Sequence, residues 1–442
     1  MNYPVWDVPL LGGGWVIGLI AILHIFVAKF AVGTGIFLAY TEWKCYQRND
    51  PGILAYVRYH SRFFVLISLV TGAVTGVGVW FSIGLVHPEA TSTLIHQFVF
   101  VWGIEWAIFL VEIISAIIYY ASWDRLSPRQ HLTIGWIYAG AAFASLIAIN
   151  GILTFMLTPG RWLESRTLWD AYFNPGNLPS LGLRALVTLS IAGLFALVTA
   201  ARWPQEEERV RLLRYAAKWL IPAYVLLPFF AVWYVWVAPA AVRAALEAGV
   251  ATIGLGSLAI LTRVTMLAIM ISATVGLFAY VGPYLNPRNF SFAMAMVFLL
   301  MGLVVTGATE WAREVLRKPY VIYGYMYSNG IRAGEEARYD QQGLLALSQW
   351  VEVNDVTPDT QLAAGRELFF LQCSSCHTRS GYRSMEKLLK GRNLDSVRYF
   401  LNSLRDPRSP YKSIMPPLVG TAAEQEALAH YLYSLSVPAP KP

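Results

Sequence analysis

The sequence predicts an all-α protein, in which a transmembrane helix bundle of about eight spans is followed by a small soluble all-α domain. Of 442 residues, 56% are hydrophobic and only 14% are charged, a balance too apolar for a soluble protein. The apolar residues concentrate in the first 316 positions, whereas the rest is polar and contains a C-x-x-C-H pentapeptide at 373–377. The predicted parts are a bundle at 1–319, a linker at 320–357 and the small domain at 358–442.

Eight apolar stretches are long enough to cross a hydrocarbon layer of ~30 Å as helices of ~20 residues or more. They lie at 14–42, 62–86, 95–121, 132–157, 181–201, 217–238, 250–282 and 290–316. The first stretch lacks the basic leader of a signal peptide and is too long and aromatic to be one, so it stays in the protein as a span. These stretches predict a multi-pass protein in contact with membrane lipid.

Basic residues in the short loops predict the orientation in the membrane. The loops after the first, third, fifth and seventh stretches carry twelve Lys and Arg residues, whereas the other loops carry three. Because basic loops stay on the cytoplasmic side, the amino terminus is expected outside, and after eight spans the linker and residues 358–442 are expected outside too. The same loop positions explain the net charge of +7 without a nucleic-acid partner.

The pentapeptide at 373–377 is typical of covalent haem attachment. The thiols of Cys373 and Cys376 can add to the two vinyl groups of haem c, and His377 can bind its iron. Met415, in a proline-stiffened loop, can supply a soft second ligand that raises the potential and suits electron transfer. A zinc site or a redox C-x-x-C is the alternative. Cys45 remains without a partner, so no disulfide framework is expected.

The surroundings of the pentapeptide favour the haem interpretation over zinc. A helix is predicted at 365–370, running into the motif, and an aromatic closing helix at 424–435. In this arrangement the segment resembles a small class I cytochrome c. That family attaches its haem on the oxidising side of a membrane, in agreement with the orientation predicted from the loops.

Six ionisable residues fall inside the predicted spans, where a charge is costly unless it is paired or used. They are His24, Lys29, Glu105, Glu112, Arg263 and Glu310. At ~1.5 Å per residue, His24, Glu105 and Glu310 lie in one layer, roughly 10–15 Å from the outer ends of their helices. Glu105 and Glu112 are seven residues apart and therefore share one helix face, a layout typical of a proton relay.

Packing explanations for these residues stay open. His24 could be a hydrogen-bonded packing residue, and the two glutamates of the third span could join neighbouring helices. Lys29 could pair with Glu105, and Arg263 could pair with Glu310.

In order and spacing, several short motifs resemble subunit I of cytochrome bd oxidases. The residues that carry the resemblance are His24 within LHIF at 23–26, RFF at 62–64, TGAVTG at 71–76, Glu105 with Glu112, WDRLS at 123–127 with His131, AING at 148–151, and Glu310 before RKPY at 317–320. The resemblance implies that His24 binds the iron of one high-spin haem and Glu310 that of another. It also implies that Glu105 lies at the oxygen-reducing site, that Glu112 supplies it with protons, and that Arg263 faces a haem propionate.

The same resemblance implies cofactors, partners and a location. Besides haem c, we expect one or two non-covalent haems, either all of b type or with one of d type. We also expect a second homologous membrane subunit, and a bacterial-type inner (plasma) membrane as the location.

Two departures from the family pattern concern the entry of electrons. The family holds a low-spin b haem between a histidine and a methionine, but Arg184 and Thr265 stand at the corresponding positions here. The segment at 239–250 is also too short for the family's quinol-binding loop. We therefore expect electrons to come from an external donor such as a cytochrome c, through haem c, to the buried haems, where oxygen is reduced to water.

Three other functions stay open at this point. One is a b/c-type electron-transfer subunit of a larger respiratory complex without oxygen chemistry, because the sequence does not show an open coordination position on either membrane iron. The second is a haem-based redox or gas sensor. The third is reduction of nitric oxide at the same kind of site.

Overall fold

The computed structural model describes residues 3–251, 259–406 and 408–436, and the described chain is almost entirely α-helical. The helices are α1 Gly13–Arg48, α2 Pro51–Val65, α3 Gly72–Val86, α4 Pro88–Gln97, α5 Val99–Ala121, α6 Pro128–Phe155, α7 Trp162–Ser165, α8 Leu168–Tyr172, α9 Asn177–Ala200, α10 Glu206–Trp236, α11 Ala240–Ala251, α12 Ala259–Ala279, α13 Phe292–Arg317, α14 Glu336–Gln342, α15 Gln361–Gln372, α16 Met385–Leu389, α17 Leu394–Ser403 and α18 Ala422–Ser436. Two short strands, β1 Tyr320–Ile322 and β2 Met326–Tyr327, form an antiparallel pair.

Eight helices of the described chain are long and apolar enough to cross a membrane, which confirms the predicted number and the all-α class. They are Gly13–Arg48, Pro51–Val86, Val99–Ala121, Pro128–Phe155, Asn177–Ala200, Glu206–Trp236, Ile260–Leu285 and Phe292–Arg317. Part of the stretch predicted at 250–282 lies outside the described residues.

The second span begins eleven residues before its predicted start at position 62. Asp50 caps the helix by accepting a hydrogen bond from the Ile53 amide at 3.1 Å, and Pro51 occupies the first turn, where its missing N–H costs nothing. The first turns contain polar residues, so hydropathy detects only the apolar remainder. α2 then continues through the π-helical residues Leu66–Thr71 into α3.

The chain divides into two compact units, and the larger one, the bundle unit, comprises Ala21–Val77 and Phe98–Leu316. Its core contains fully buried aromatic residues such as Phe30, Phe37 and Phe64. A Cβ added at Gly33 would lie 1.9 Å from the Thr188 carbonyl oxygen, so the backbones of α1 and α9 are in contact there. Small residues allow this close approach, which in a membrane supplies much of the packing energy between helices.

The smaller one, the C-terminal unit, comprises Met1–Ile20, Gly78–Gln97 and Arg317–Pro442. Its core includes Ile331, Tyr339, Leu344 and Leu345, so the segment interpreted as a linker contributes buried side chains. Glu424, in the first turn of α18 and 4% exposed, accepts hydrogen bonds from the Leu344 and Leu345 amides at 3.0 and 2.7 Å. Because residues 320–357 are mostly polar, the sequence does not predict that they contribute to the core. Their few apolar side chains are buried by residues more distant in the sequence.

Helices α15 and α18 cross at Gly365, where the chain has no room for a side chain. A Cβ there would lie 2.2 Å from the Ala427 carbonyl oxygen and 2.6 Å from the Tyr431 Cβ. We expect Gly365→Ala to destabilise the C-terminal unit by about 1–3 kcal/mol, the usual cost of overpacking. Thermal unfolding of the purified protein measures the loss. Gly84→Ala is the control, because a Cβ at Gly84 meets nothing within 4 Å; equal melting temperatures for the two variants would contradict the prediction.

Candidate functional site

The C-x-x-C-H motif forms a tight turn at the end of α15. The amides of Cys376 and His377 both donate hydrogen bonds to the Cys373 carbonyl, at 3.1 and 2.9 Å. Burial, with the neighbouring Cys376, raises the pKa of the Cys373 thiol to about 12. Burial also raises the pKa of the Cys376 thiol. The Lys318 ammonium, 3.5 Å from Sγ, and nearby hydroxyl groups lower it by more, so the pKa of this thiol lies below its usual value. The two thiols therefore differ in reactivity.

The orientation of His377 suits a metal ligand. Its Nδ1 lies 3.1 Å from the Arg383 carbonyl oxygen, and because a carbonyl can only accept, Nδ1 carries the proton. Nε2 is then the basic nitrogen, as in histidines that bind metal through Nε2 while a backbone carbonyl fixes the other nitrogen. Burial also lowers the pKa of His377, which favours the neutral ring that coordination requires.

Met415 lies on a loop that the structure ties to the motif. Its amide donates to the Tyr411 carbonyl at 2.8 Å, after the 3-10 turn Pro410–Ser413. Gln372, directly before Cys373, donates to the Val419 carbonyl at 3.1 Å and accepts from the Val419 amide at 3.0 Å. This buried pair of hydrogen bonds holds the loop of the methionine beside the helix that presents the cysteines.

The segment before α1 holds the loop that follows the motif. The Tyr382 amide donates to the Leu10 carbonyl at 2.8 Å, and a Cβ added at Gly381 would lie 1.9 Å from the same oxygen. The Tyr382 ring meets Trp15 edge to face, with centroids 5.6 Å apart. The motif loop is therefore attached to the start of the first span, although the two are at opposite ends of the sequence.

His24, in the bundle unit, also has one ring nitrogen fixed. Its Nδ1 lies 3.2 Å from the Thr75 hydroxyl oxygen, and that hydroxyl donates to the Thr71 carbonyl at 2.6 Å. Because the Thr75 hydroxyl proton is already donated to the Thr71 carbonyl, His24 Nδ1 is the donor to Thr75, and Nε2 keeps the lone pair. Gly76 leaves space for the ring, since a Cβ there would be 3.2 Å from His24 Cε1. This is again the tautomer that an iron ligand needs.

Glu105 and Glu112 both face α6, each opposite a polar partner. Ser145 donates to Glu105 at 2.9 Å, and the Tyr138 hydroxyl lies 3.4 Å from Glu112 and 3.1 Å from the Ala31 carbonyl oxygen. Ser145 and Tyr138 are seven residues apart, as the two glutamates are, so the contacts repeat with the same period on two antiparallel helices. The sequence interpretation missed these partners, although their spacing was visible.

The same period continues toward the carboxyl-terminal end of α5 and the amino-terminal end of α6, at Tyr119 and His131. The fully buried Glu42 accepts hydrogen bonds from the Tyr119 hydroxyl at 2.7 Å and pairs with His131 Nδ1 at 2.8 Å. His131 Nε2 faces the Tyr119 carbonyl at 2.9 Å. Sequence reading did not single out Glu42.

Glu310 lies among cations, which the sequence did not predict. Its carboxylate is 2.9 and 3.0 Å from two nitrogens of Arg313 and 4.0 Å from Arg184, and the Lys29 ammonium acts on it electrostatically. The open alternatives that paired Lys29 with Glu105 and Arg263 with Glu310 are therefore wrong. Arg263 is exposed on α12.

This ion-pair cluster bears on the assignment of Glu310 as an iron ligand. To bind iron, the Glu310 carboxylate would have to give up its contacts with the guanidinium groups of Arg313 and Arg184. Glu314 lies one turn further along α13, interacts with Arg313, and brings a second carboxylate to the same region. Glu310 and Glu314 are therefore both candidate iron ligands.

A family model described as cytochrome bd terminal oxidase subunit I matches residues 14–238, just over half of the chain. The chain belongs to this family. A solved structure of bd oxidase from Geobacillus thermodenitrificans has a similar fold, with a TM-score of 0.60 and 18% sequence identity over 71% of this chain and 88% of that one. A search of curated proteins found no match.

Membership of the bd family makes the chain a multi-pass membrane protein of a bd-type respiratory terminal oxidase. It agrees with b and d haems as cofactors, with oxygen as substrate and with a second subunit. The matched region contains His24, Glu105 and Glu112. It does not reach Glu310 or the C-x-x-C-H motif, so the C-terminal unit requires its own explanation.

Proposed function

We propose that the chain is the haem-bearing subunit of a bd-type oxidase in which electrons enter through a covalent haem c instead of from quinol. The observation that carries the proposal is the motif turn, with its fixed His377 tautomer, in a chain of the bd family. The orientation from the positive loops supports an extracytoplasmic amino terminus and C-terminal unit, where a donor such as a cytochrome c is available.

In the C-terminal unit, Cys373 and Cys376 hold haem c by thioether bonds, and His377 with Met415 ligate its iron. The hydrogen bond from Nδ1 to the Arg383 carbonyl orients the imidazole and makes Nε2 a better donor. The Gln372–Val419 hydrogen bonds limit movement of the methionine loop. Two fixed ligands suit electron transfer, because little reorganisation accompanies a change of charge.

In the bundle unit, His24 binds one non-covalent haem through Nε2, and Glu310 or Glu314 binds the other. Arg184, at the position of the family's low-spin haem ligand, carries a guanidinium group that cannot coordinate iron. It hydrogen-bonds to Ser180 at 3.2 Å and faces Glu310. When bound, the buried haems supply the site at which oxygen is reduced. The loss of the low-spin ligand supports a route that does not begin at quinol.

Protons for that reaction pass along the α5–α6 contact. Reduction of one oxygen molecule to two waters consumes four electrons and four protons. Glu112, hydrogen-bonded to Tyr138, passes protons to Glu105, hydrogen-bonded to Ser145. Both carboxylates can alternate between donor and acceptor, whereas a glutamine cannot take up a proton.

We expect Glu112→Gln to lower oxygen uptake by about 100-fold or more, the usual effect of losing a proton-transfer group, while the haem spectrum stays unchanged. Oxygen consumption with reduced cytochrome c measures the effect. Glu207→Gln, an exposed residue of the first turn of α10, is the matched control and should keep full activity. Normal turnover of Glu112→Gln would remove Glu112 from the proton path.

Purified protein tests the proposed function directly. A reduced-minus-oxidised spectrum with pyridine haemochrome analysis should show haem c together with non-covalent haem. Oxygen uptake should be supported by reduced cytochrome c and not by a quinol. A c-only spectrum would contradict the ligands in the bundle, and non-covalent haem without oxygen uptake would favour the electron-transfer subunit. Nitric oxide consumption in place of oxygen uptake would favour the nitric oxide reductase.

A further inference from the structure

A group of charged side chains lies inside the bundle unit, away from the α5–α6 contact. Lys29 of α1 is 8% exposed, and the side chains of Arg184 and Glu310 are 12% and 13% exposed. Arg313 pairs with Glu310 and interacts with Glu314. Together these five residues, which we call the buried cation cluster, come from three different spans.

The buried cation cluster has more positive than negative charge. Lys29, Arg184 and Arg313 contribute three cations, and Glu310 and Glu314 contribute two carboxylates. An unbalanced charge within a span is energetically costly, so such residues are found where a partner compensates them. A water molecule could satisfy a hydrogen bond here, but it would leave the excess charge in place.

One donor of the cluster points to the missing partner. Arg313 gives Nε and Nη2 to Glu310, at 3.0 and 2.9 Å. Its Nη1 is buried and has no hydrogen-bond partner among the described residues. A guanidinium that holds one carboxylate on one edge and presents a free N–H on another is suited to bind a second anionic oxygen.

We propose that Arg313 and Arg184, with Lys29, bind a propionate carboxylate of a non-covalent haem. This inference rests on the proposed function, because a bd-type haem is the group in this bundle that brings carboxylates of its own. Arg313 Nη1 donates to the propionate, and Arg184 and Lys29 balance its charge. The proposal gives these residues the propionate contact that the resemblance gives to Arg263 of α12.

The cluster also acts on the potential of that haem. Ferrous haem carries one positive charge fewer than ferric haem, so nearby cations stabilise the reduced form, and the effect is large where water is excluded. Arg184 adds a positive charge where the family resemblance places a neutral ligand. The haem beside the cluster is therefore expected to be more easily reduced than it would be without Arg184 and Arg313.

Potentiometric titration of the full-length holoprotein tests the proposal with Arg313→Gln. Glu310 keeps Arg184 and Lys29 as partners in this variant, so its charge stays compensated. We expect a tenfold fall in the ferrous to ferric ratio of one non-covalent haem at fixed potential, equal to a midpoint about 59 mV lower, or loss of that haem. Arg313→Lys should recover most of the change. Arg263→Gln is the control and should leave both quantities unaltered.

An unchanged midpoint and full haem content in Arg313→Gln would overturn the proposal. If that variant does not accumulate, Arg184→Gln takes its place with the same expected fall, and an unchanged midpoint there overturns the proposal equally. The absence of non-covalent haem from the unaltered protein is a different result, since it would overturn the proposed function itself. The haem c signal reports on folding of the C-terminal unit in every variant.

Discussion

Replacement of both motif cysteines, Cys373→Ala with Cys376→Ala, should remove all haem that survives denaturing electrophoresis. Thioether bonds are the means by which haem stays on an unfolded chain, and the structure contains one C-x-x-C-H turn, with both thiols beside His377. The stained band should fall to background, and the α-band of haem c should vanish from the reduced spectrum. Oxygen uptake with reduced cytochrome c should fall with it, by about 100-fold or more, because the proposed entry point for electrons is gone.

Cys45→Ala is the matched control for this double variant. Cys45 is buried in the bundle core and lies far from the motif in the sequence, so its replacement should leave the covalent haem intact. Haem that still migrates with the double variant would mean attachment elsewhere. If oxygen uptake were preserved without haem c, electrons would have to enter by another route, and quinol would again be the expected donor.

His24→Ala should cost one non-covalent haem and leave haem c in place. The Thr75 hydroxyl fixes His24 so that Nε2 keeps its lone pair, and alanine offers the iron no ligand. Pyridine haemochrome analysis should show one non-covalent haem fewer per haem c. Oxygen uptake should fall below about a hundredth of its normal rate, because under the proposed assignment the reacting haem loses the ligand that positions it.

Two variants separate ligation by His24 from simple packing. His96→Ala removes an exposed histidine on α4, whose Nδ1 donates to the Ser92 carbonyl, and it should retain every haem. Thr75→Val removes the hydrogen bond that sets the tautomer but keeps the imidazole, so it should weaken haem retention less than His24→Ala. Full haem content in His24→Ala would show that the histidine only packs against Gly76.

Much of the fold could be predicted from the sequence, because crossing a membrane imposes a local rule. Each span must be long and apolar, so eight stretches were visible without any tertiary contact. The polar first turns of α2 were missed because Asp50 and Pro51 start the helix by capping, which hydropathy does not detect. The core contribution of 320–357 was missed because it depends on distant partners such as Glu424.

The candidate site was only partly predictable, for a related reason. Helical spacing placed Glu105 and Glu112 on one face, and the structure shows which helix that face meets, through Ser145 and Tyr138. Spacing cannot pair residues of different spans when several crossings are possible. The sequence shows that Arg184 stands where the family has a haem ligand. Only the folded structure shows that Arg184 lies near Glu310.

By itself, the sequence determined the membrane spans, and it predicted the haem-attachment motif and the layer that contains His24, Glu105 and Glu310, since all three depend on residue type and spacing along one helix or turn. The tertiary structure decided which nitrogen of His24 and His377 keeps its lone pair, and which cations surround Glu310. Those properties arise from contacts of a few ångströms between side chains or loops, and their strength depends on burial and geometry that only the folded chain provides.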